Sequence, residues 1–401
     1  NSIASGGNYN TVVGDEAGTA ITTGDGNTSL GFEALMTATT ASNNTAIGLS
    51  ALRLNTSGAQ NTAVGRLSAD ALTEGNANVA LGNAALTADT KGSNSVAVGN
   101  AALGAQNFTS ATDAYNVAVG YNAGHLVTTG TLNTLIGGLA GDSMTTGAGN
   151  TGVGYEALSG TTTASNNTGS GFRALKANTT GADNTAFGSN ALDSNTTASN
   201  NTAVGKSALF ANTTGTSNVA LGALALDANT TGNQNVGVGK NAIGTNTTGD
   251  ANTAIGHGAL AVATTADNNT AVGFHSLVAN TTGASNAVLG AYALDANTTG
   301  ATNTAVGASA LGNNTTASNN TAFGYSALYA NTTGTANVAV GAQSGDALTT
   351  GHYNTMVGHG SLSADTKGTR SVAIGMQALA AQNFTSETSA YNTAVGFVAG
   401  Q

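Results

Sequence analysis

The hydrophobic positions of this chain come in a fixed order. Asn61-Thr62-Ala63-Val64-Gly65 places a β-branched, a small and an apolar residue between Asn and Gly, and this pattern returns from end to end. Its Gly stands at 23 positions from Gly14 to Gly396; of the 22 intervals, 20 are 17 residues long and two are 21. A fixed period this short marks a solenoid, whose repeats bury their apolar faces only against their neighbours. Period-two alternation and β-branched enrichment predict a short strand before each Gly. No stretch between Gly positions is long enough, or free enough of Gly and β-branched residues, to make a helix. The expected fold is all-β: a parallel β-solenoid, or β-roll, of 17-residue coils with about 23 rungs.

Each column of the repeat carries its own expectation. The residue before the Gly is apolar in 22 of 23 coils, Ser170 being the exception, so it should point inward. The residue after the Asn is Thr in 15 coils, Val in seven and Ala287 in one, which places it on the same, half-buried face. A column filled by Gly in every coil calls for a positive φ or for close approach to a neighbour. Asn opens 21 coils, with Ser95 and Ser371 in the other two. Asn tolerates the left-handed conformation and bonds its local backbone, and stacked copies can form an amide ladder. Four residues after the Gly, 16 coils have Leu and one has Ile243. Where Gly or Ala stands there instead, a large apolar residue follows three positions later: Ile21, Leu72, Val127, Met144 and Leu348. The two positions should therefore reach one interior space.

Composition narrows the functional classes. The chain has 401 residues, net charge −10, only nine Lys and Arg, and no Pro, Cys or Trp. Without a basic stripe a nucleic-acid partner is not expected, and without a run of 18 apolar residues neither is membrane insertion. The absence of Cys excludes a disulfide framework. Residues 1–401 read as a single continuous array with no linker. Both termini fall inside a coil, so the chain reads as a fragment of a longer array. A larger unit is visible too: Ala-Asp-Thr-Lys-Gly at 88–92 returns at 364–368, and Gln-Asn-Phe-Thr-Ser at 106–110 returns at 382–386, an offset of 276 residues.

Ser-Val-Ala-Val-Gly at 95–99 and Ser-Val-Ala-Ile-Gly at 371–375 resemble the rung motif of trimeric autotransporter adhesin heads, the YadA-like family. The Asn-Thr-Ala-Val/Ile-Gly form is similar to repeats of bacterial surface proteins and phage tail fibres. The resemblance covers the chain coil by coil and implies a left-handed β-roll on a cell surface or virion, hence extracellular. It also implies self-association as a homotrimer. The family's rungs are nearer 14 residues, so these are longer. The expected function is that of a structural fibre, an adhesin shaft or head, or a tail-fibre shaft, mediating surface attachment or fibre assembly. A thin, Ala-rich core points the same way, since Ala columns let neighbouring solenoids approach closely. The partners expected are therefore other copies of this chain, as a trimer or a laterally packed fibre, and surface glycans or host matrix.

Nothing in the pattern calls for catalysis, a cofactor or a metal. The five His are scattered, and Asp193, Asp227 and Asp295 share a column without occupying adjacent rungs. Asn-x-Thr sequons, as at Asn178, Asn212 and Asn331, are read as turn and stacking chemistry in preference to glycan acceptors. Regular Thr columns raise ice binding as an alternative from another class. The one candidate binding feature lies in the two 21-residue coils. Their four-residue insertions bring Phe108, Asp113 and Tyr115 into one, and Phe384, Glu387 and Tyr391 into the other. Aromatic rings beside a carboxylate suit sugar faces and hydroxyls. The competing expectation is a bulging loop whose aromatics fold back over the rung edge.

Overall fold

A computed structural model describes residues 6–401, and among them there is no helix. Each coil contributes a three-residue strand, from Thr11–Val13 to Thr393–Val395, paired in parallel with the strand of the next coil of the same compact unit. The fold is thus an all-β parallel solenoid of 17-residue turns. The chain falls into two compact units, Asn1–Asn200 and Asn201–Gln401. In the first, Thr62, Ala63 and Val64 pair with Val79, Ala80 and Leu81; in the second, Val236, Gly237 and Val238 pair with Thr253, Ala254 and Ile255. The register of both ladders is one coil. Each insertion adds a second, two-stranded parallel pair: Gly92–Ser93 with Thr112–Asp113, and Gly368–Thr369 with Thr388–Ser389.

Rungs bond to both neighbours through much of their backbone. Thr62 N donates to Asn78 O at 2.8 Å on one side, and Gly65 N donates to Ile47 O at 2.8 Å on the other. The path between strands is built of tight turns in which non-glycine residues take left-handed φ, such as Gln60 at 60°, Leu67 at 57° and Ala69 at 47°. Each such residue costs about 1–3 kcal/mol locally, so only the stacked neighbours make the path stable. The Gly column combines both expected reasons for its identity. Gly65 has φ 134°, and a Cβ there would collide with the Gly82 carbonyl of the next rung.

The expected direction of the strand residues is corrected. The middle residue of each strand points inward: Ala63, Ala203 and Ala254 are fully buried. The flanking Thr/Val and Val/Leu/Ile/Phe columns face outward, half-buried or exposed. The reason is the width of the coil. Its interior is already occupied by the Leu column and by Asn side chains, so the strand centre admits little more than a methyl group. Where Gly152 and Gly237 stand at the centre, an added Cβ would sit 3.2 Å and 3.3 Å from Leu158 Cδ1 and Leu226 Cδ1.

The core mixes apolar and amide side chains. In a typical rung of the second unit the buried side chains are Asn201, Ala203, Ala208, Leu209 and Asn212. Two amide ladders run through the stack. In one, Asn44 Nδ2 donates to Asn27 Oδ1 at 3.2 Å and Asn44 N donates to the same oxygen at 3.0 Å. In the other, Asn246 Nδ2 donates to Asn229 Oδ1 at 2.7 Å, and Asn229 Nδ2 donates to Asn212 Oδ1 at 2.9 Å. A buried amide is stable only when its donors and acceptor are satisfied, and here the next rung satisfies them. The shared interior space is visible directly: a Cβ on Gly18 would stand 3.0 Å from Ile21 Cδ1. Compensation also comes from the strand centre, where Leu135 replaces Ala and fills the space beside Gly124 and Gly141.

Candidate assembly face

With the strand centres turned in, each rung turns its outer strand residues to solvent. The result is a parallel sheet face bearing Thr or Val in one column and Val, Ile, Leu or Phe in the next. In the first unit Leu30 is 46% and Phe187 58% exposed; in the second, Leu221 is 47% and Phe323 54% exposed. The residue after each Gly borders this face and adds Phe32, Tyr155 and Phe172 in the first unit, and Phe274, Tyr325 and Met376 in the second, all exposed. Tyr155 and Phe172 stack across successive rungs at 5.9 Å, and His257 and Phe274 at 5.5 Å. Monomeric surfaces rarely carry apolar area in so continuous an arrangement, and such area marks an interaction surface. Thr134, Thr151, Thr168 and Thr185 also stand in register on this face.

The insertions do not place their aromatics alike. Phe108 is buried, its ring over Gly92, whereas Tyr115 is exposed and Asp113 accepts a bond from Asn94 Nδ2 at 2.8 Å. In the second copy Phe384 is half-buried, while Tyr391 and Glu387 are exposed. The loops are anchored from inside. Asp89 Oδ1 accepts from Gly92 N and Phe108 N, its Oδ2 accepts from Gln106 Nε2 at 2.6 Å, and Gln106 Oε1 accepts from Asn116 Nδ2 at 2.9 Å. Asp365, Gln382 and Asn392 repeat this network. The two acids named from sequence are not equivalent positions: at the 276-residue offset Glu387 corresponds to Ala111, and Asp113 to Ser389.

Two residues of the second insertion's surroundings escaped the sequence reading. Arg370 stands over the rings of Tyr353 and Tyr391, at 5.5 and 5.7 Å, and His352 Nε2 lies 3.6 Å from Glu387 Oε1. Aligning the two copies at their offset carries the signal, because Arg370 replaces Asn94 and His352 replaces Asn76.

A larger cleft, of about 510 Å³, lies in the first unit among Asp142, Glu156, Arg173, Lys176 and Asp193. Lys176 Nζ meets Glu156 Oε2 at 2.8 Å, and Arg173 Nε lies 3.3 Å from Asp193 Oδ1. The Lys176 hydrogen bond holds the Glu156 carboxyl below its usual range, whereas burial pushes Asp142 and Asp193 up. Both cations are ion-paired with the cleft's own acids, although Arg173 Nε, Asp193 Oδ1 and Asp142 Oδ1 are buried without a hydrogen bond. Among the described residues no cluster of His, Cys, Asp and Glu is arranged to hold a metal ion, and no helix is long and apolar enough to cross a membrane. The sequon residues Asn178, Asn212 and Asn331 are fully buried, with their amides bonded to the carbonyls of Gly181, Gly215 and Gly334. No glycan can be carried there in the folded rung.

No protein-family model matches this chain, and no curated protein matches it.

Proposed function

We propose that the chain is a non-enzymatic structural array whose outward sheet face packs against further copies of itself, forming a fibre or trimeric shaft or head that mediates attachment at a cell or virion surface. The observation that carries this reading is the outward apolar column, exposed or half-buried, filled in nearly every rung and bordered by aromatic side chains. A second copy suits that face because the face carries little charge and repeats at the same spacing on any copy, so apolar columns can meet in register. The extracellular setting rests on the repeat resemblance alone.

Light scattering at micromolar concentration is the direct test. The expected result is a stable oligomer, and a monomer of 38.5 kDa would overturn the reading. Ice binding remains the second reading because Thr134, Thr151, Thr168 and Thr185 form an outward row in register. Bulky side chains such as Phe187 interrupt that face. Thermal hysteresis from the monomer would decide for it.

A further inference from the structure

We infer that the cleft beside the second insertion binds a sugar carrying a carboxylate, of the uronic acid kind. This goes beyond the assembly reading and does not depend on it. The cleft, of about 230 Å³, is lined by His352, Tyr353, Thr369, Arg370, Glu387 and Ser389. Arg370 is its organising residue. Tyr353 and Tyr391 flank its guanidinium, and its Nη1 donates to Ser389 Oγ at 2.7 Å. Aromatic rings held over a guanidinium fix it by cation–π attraction and leave its in-plane N–H donors to a ligand. A planar carboxylate meets such donors in a bidentate pair.

His352 and Glu387 supply further polar groups of the same cleft. Thr335 N donates to His352 Nδ1 at 2.9 Å, so the neutral ring carries its proton on Nε2, which faces Glu387 Oε1 at 3.6 Å. Glu387 is exposed, and its carboxylate accepts only. Glu387 repels every anion alike, and a carboxylate without hydroxyls, such as acetate, has no donor to offer it in return, while a neutral sugar bonds Glu387 but leaves Arg370 unmatched. A hydroxylated carboxylate serves both. The first insertion supplies an internal contrast on the same repeat. There Asn94 replaces Arg370 and its Nδ2 bonds Asp113, while Ala77 and Ala111 replace Tyr353 and Glu387.

The test is calorimetric titration of the full chain with glucuronate, with glucose, acetate and inorganic phosphate as controls. Arg370→Asn and Glu387→Ala each install the residue of the first copy, so both variants should fold, as far-UV circular dichroism would verify. Saturable glucuronate binding is expected, at least about tenfold weaker in Arg370→Asn, where each factor of ten is 1.4 kcal/mol. Glu387→Ala should weaken glucuronate without weakening acetate. Absence of saturable glucuronate binding overturns the inference. So does equal affinity in Arg370→Asn, or phosphate binding as tight as glucuronate. Light scattering of the same samples reads assembly separately, so either proposal can fail alone.

Discussion

Gly137 and Gly138 are neighbours in the chain, and only one is required by the fold. Gly137 has φ 138°, and a Cβ there would enter the Gly154 carbonyl, whereas a Cβ on Gly138 would meet nothing closer than Tyr155 Cδ2 at 3.5 Å. Gly137→Ala should therefore lower the urea midpoint sharply, while Gly138→Ala is neutral or stabilising by about 0.4–1 kcal/mol. The amide ladder makes a second residue-scale prediction. Asn246→Leu removes the partner of Asn229 Oδ1 and of Gly249 N, and each orphaned group should cost about 1–3 kcal/mol in chemical unfolding. The chain shows the same defect where Leu348 replaces Asn in this column, leaving the Asn331 Oδ1 below it buried without a partner. Both the Gly column and the Asn ladder were legible in the sequence, because a period exposes any position whose chemistry admits one residue. The inward direction of the Val column was misread. In a three-residue strand the alternation fits either face, and only the width left by Leu and Asn decides between them.

At the scale of the turn and the loop, charge and aromatic burial follow the rung edge. Asp142, Asp193, Asp227, Asp295 and Asp346 occupy the fifth position after the Gly, and burial pushes each carboxyl above its usual range. A raised folded-state value means that the ionised form opposes folding. The penalty is absent below the unfolded value, about 3.9, and grows as pH rises through the folded one. Asp346 also leaves its Oδ1 buried without a partner. Asp346→Asn should therefore raise the melting temperature at pH 7 and leave it unchanged near pH 3, as scanning calorimetry at both values would show. In the first insertion Phe108 is only 6% exposed, so Phe108→Ala should cost about 3–5 kcal/mol. Tyr115 is exposed, and Tyr115→Ala should leave stability nearly unchanged. The sequence marked both insertions as aromatic but could not separate ring from ring. What admits Phe108 is the missing Cβ of Gly92, which would otherwise stand 2.9 Å from the ring, and that contact joins residues far apart in the loop.

For the whole molecule, an apolar column in a repeat says that something must cover it, and the sequence reading assigned the cover to the coil's own interior. With that interior filled by Ala, Leu and Asn, the Val column of each unit remains at the surface, and under the proposed self-packing its cover comes from another copy. This is why the repeat was readable and the outward apolar face was not. The proposed self-packing makes a prediction that separates the face from the core. Leu221→Lys together with Leu289→Lys puts two charges on the outward columns of the second unit, at residues 47% and 52% exposed. Neither side chain supports the coil interior, so far-UV circular dichroism and the melting transition of the dissociated chain should be preserved. Desolvating an unpaired ammonium in an apolar contact costs several kcal/mol, so the oligomer should dissociate to 38.5 kDa in light scattering. Leu226→Ala, which opens a cavity in the fully buried interior column instead, should lower stability by about 2–5 kcal/mol and leave association of the folded fraction unchanged. If the double lysine variant associates as the wild type does, the outward columns do not form the interface and the proposal fails. Cooling supplies an independent check, because apolar association weakens as temperature falls. Thermal hysteresis from a chain that stays monomeric would instead move the assignment to the Thr row of the same sheet.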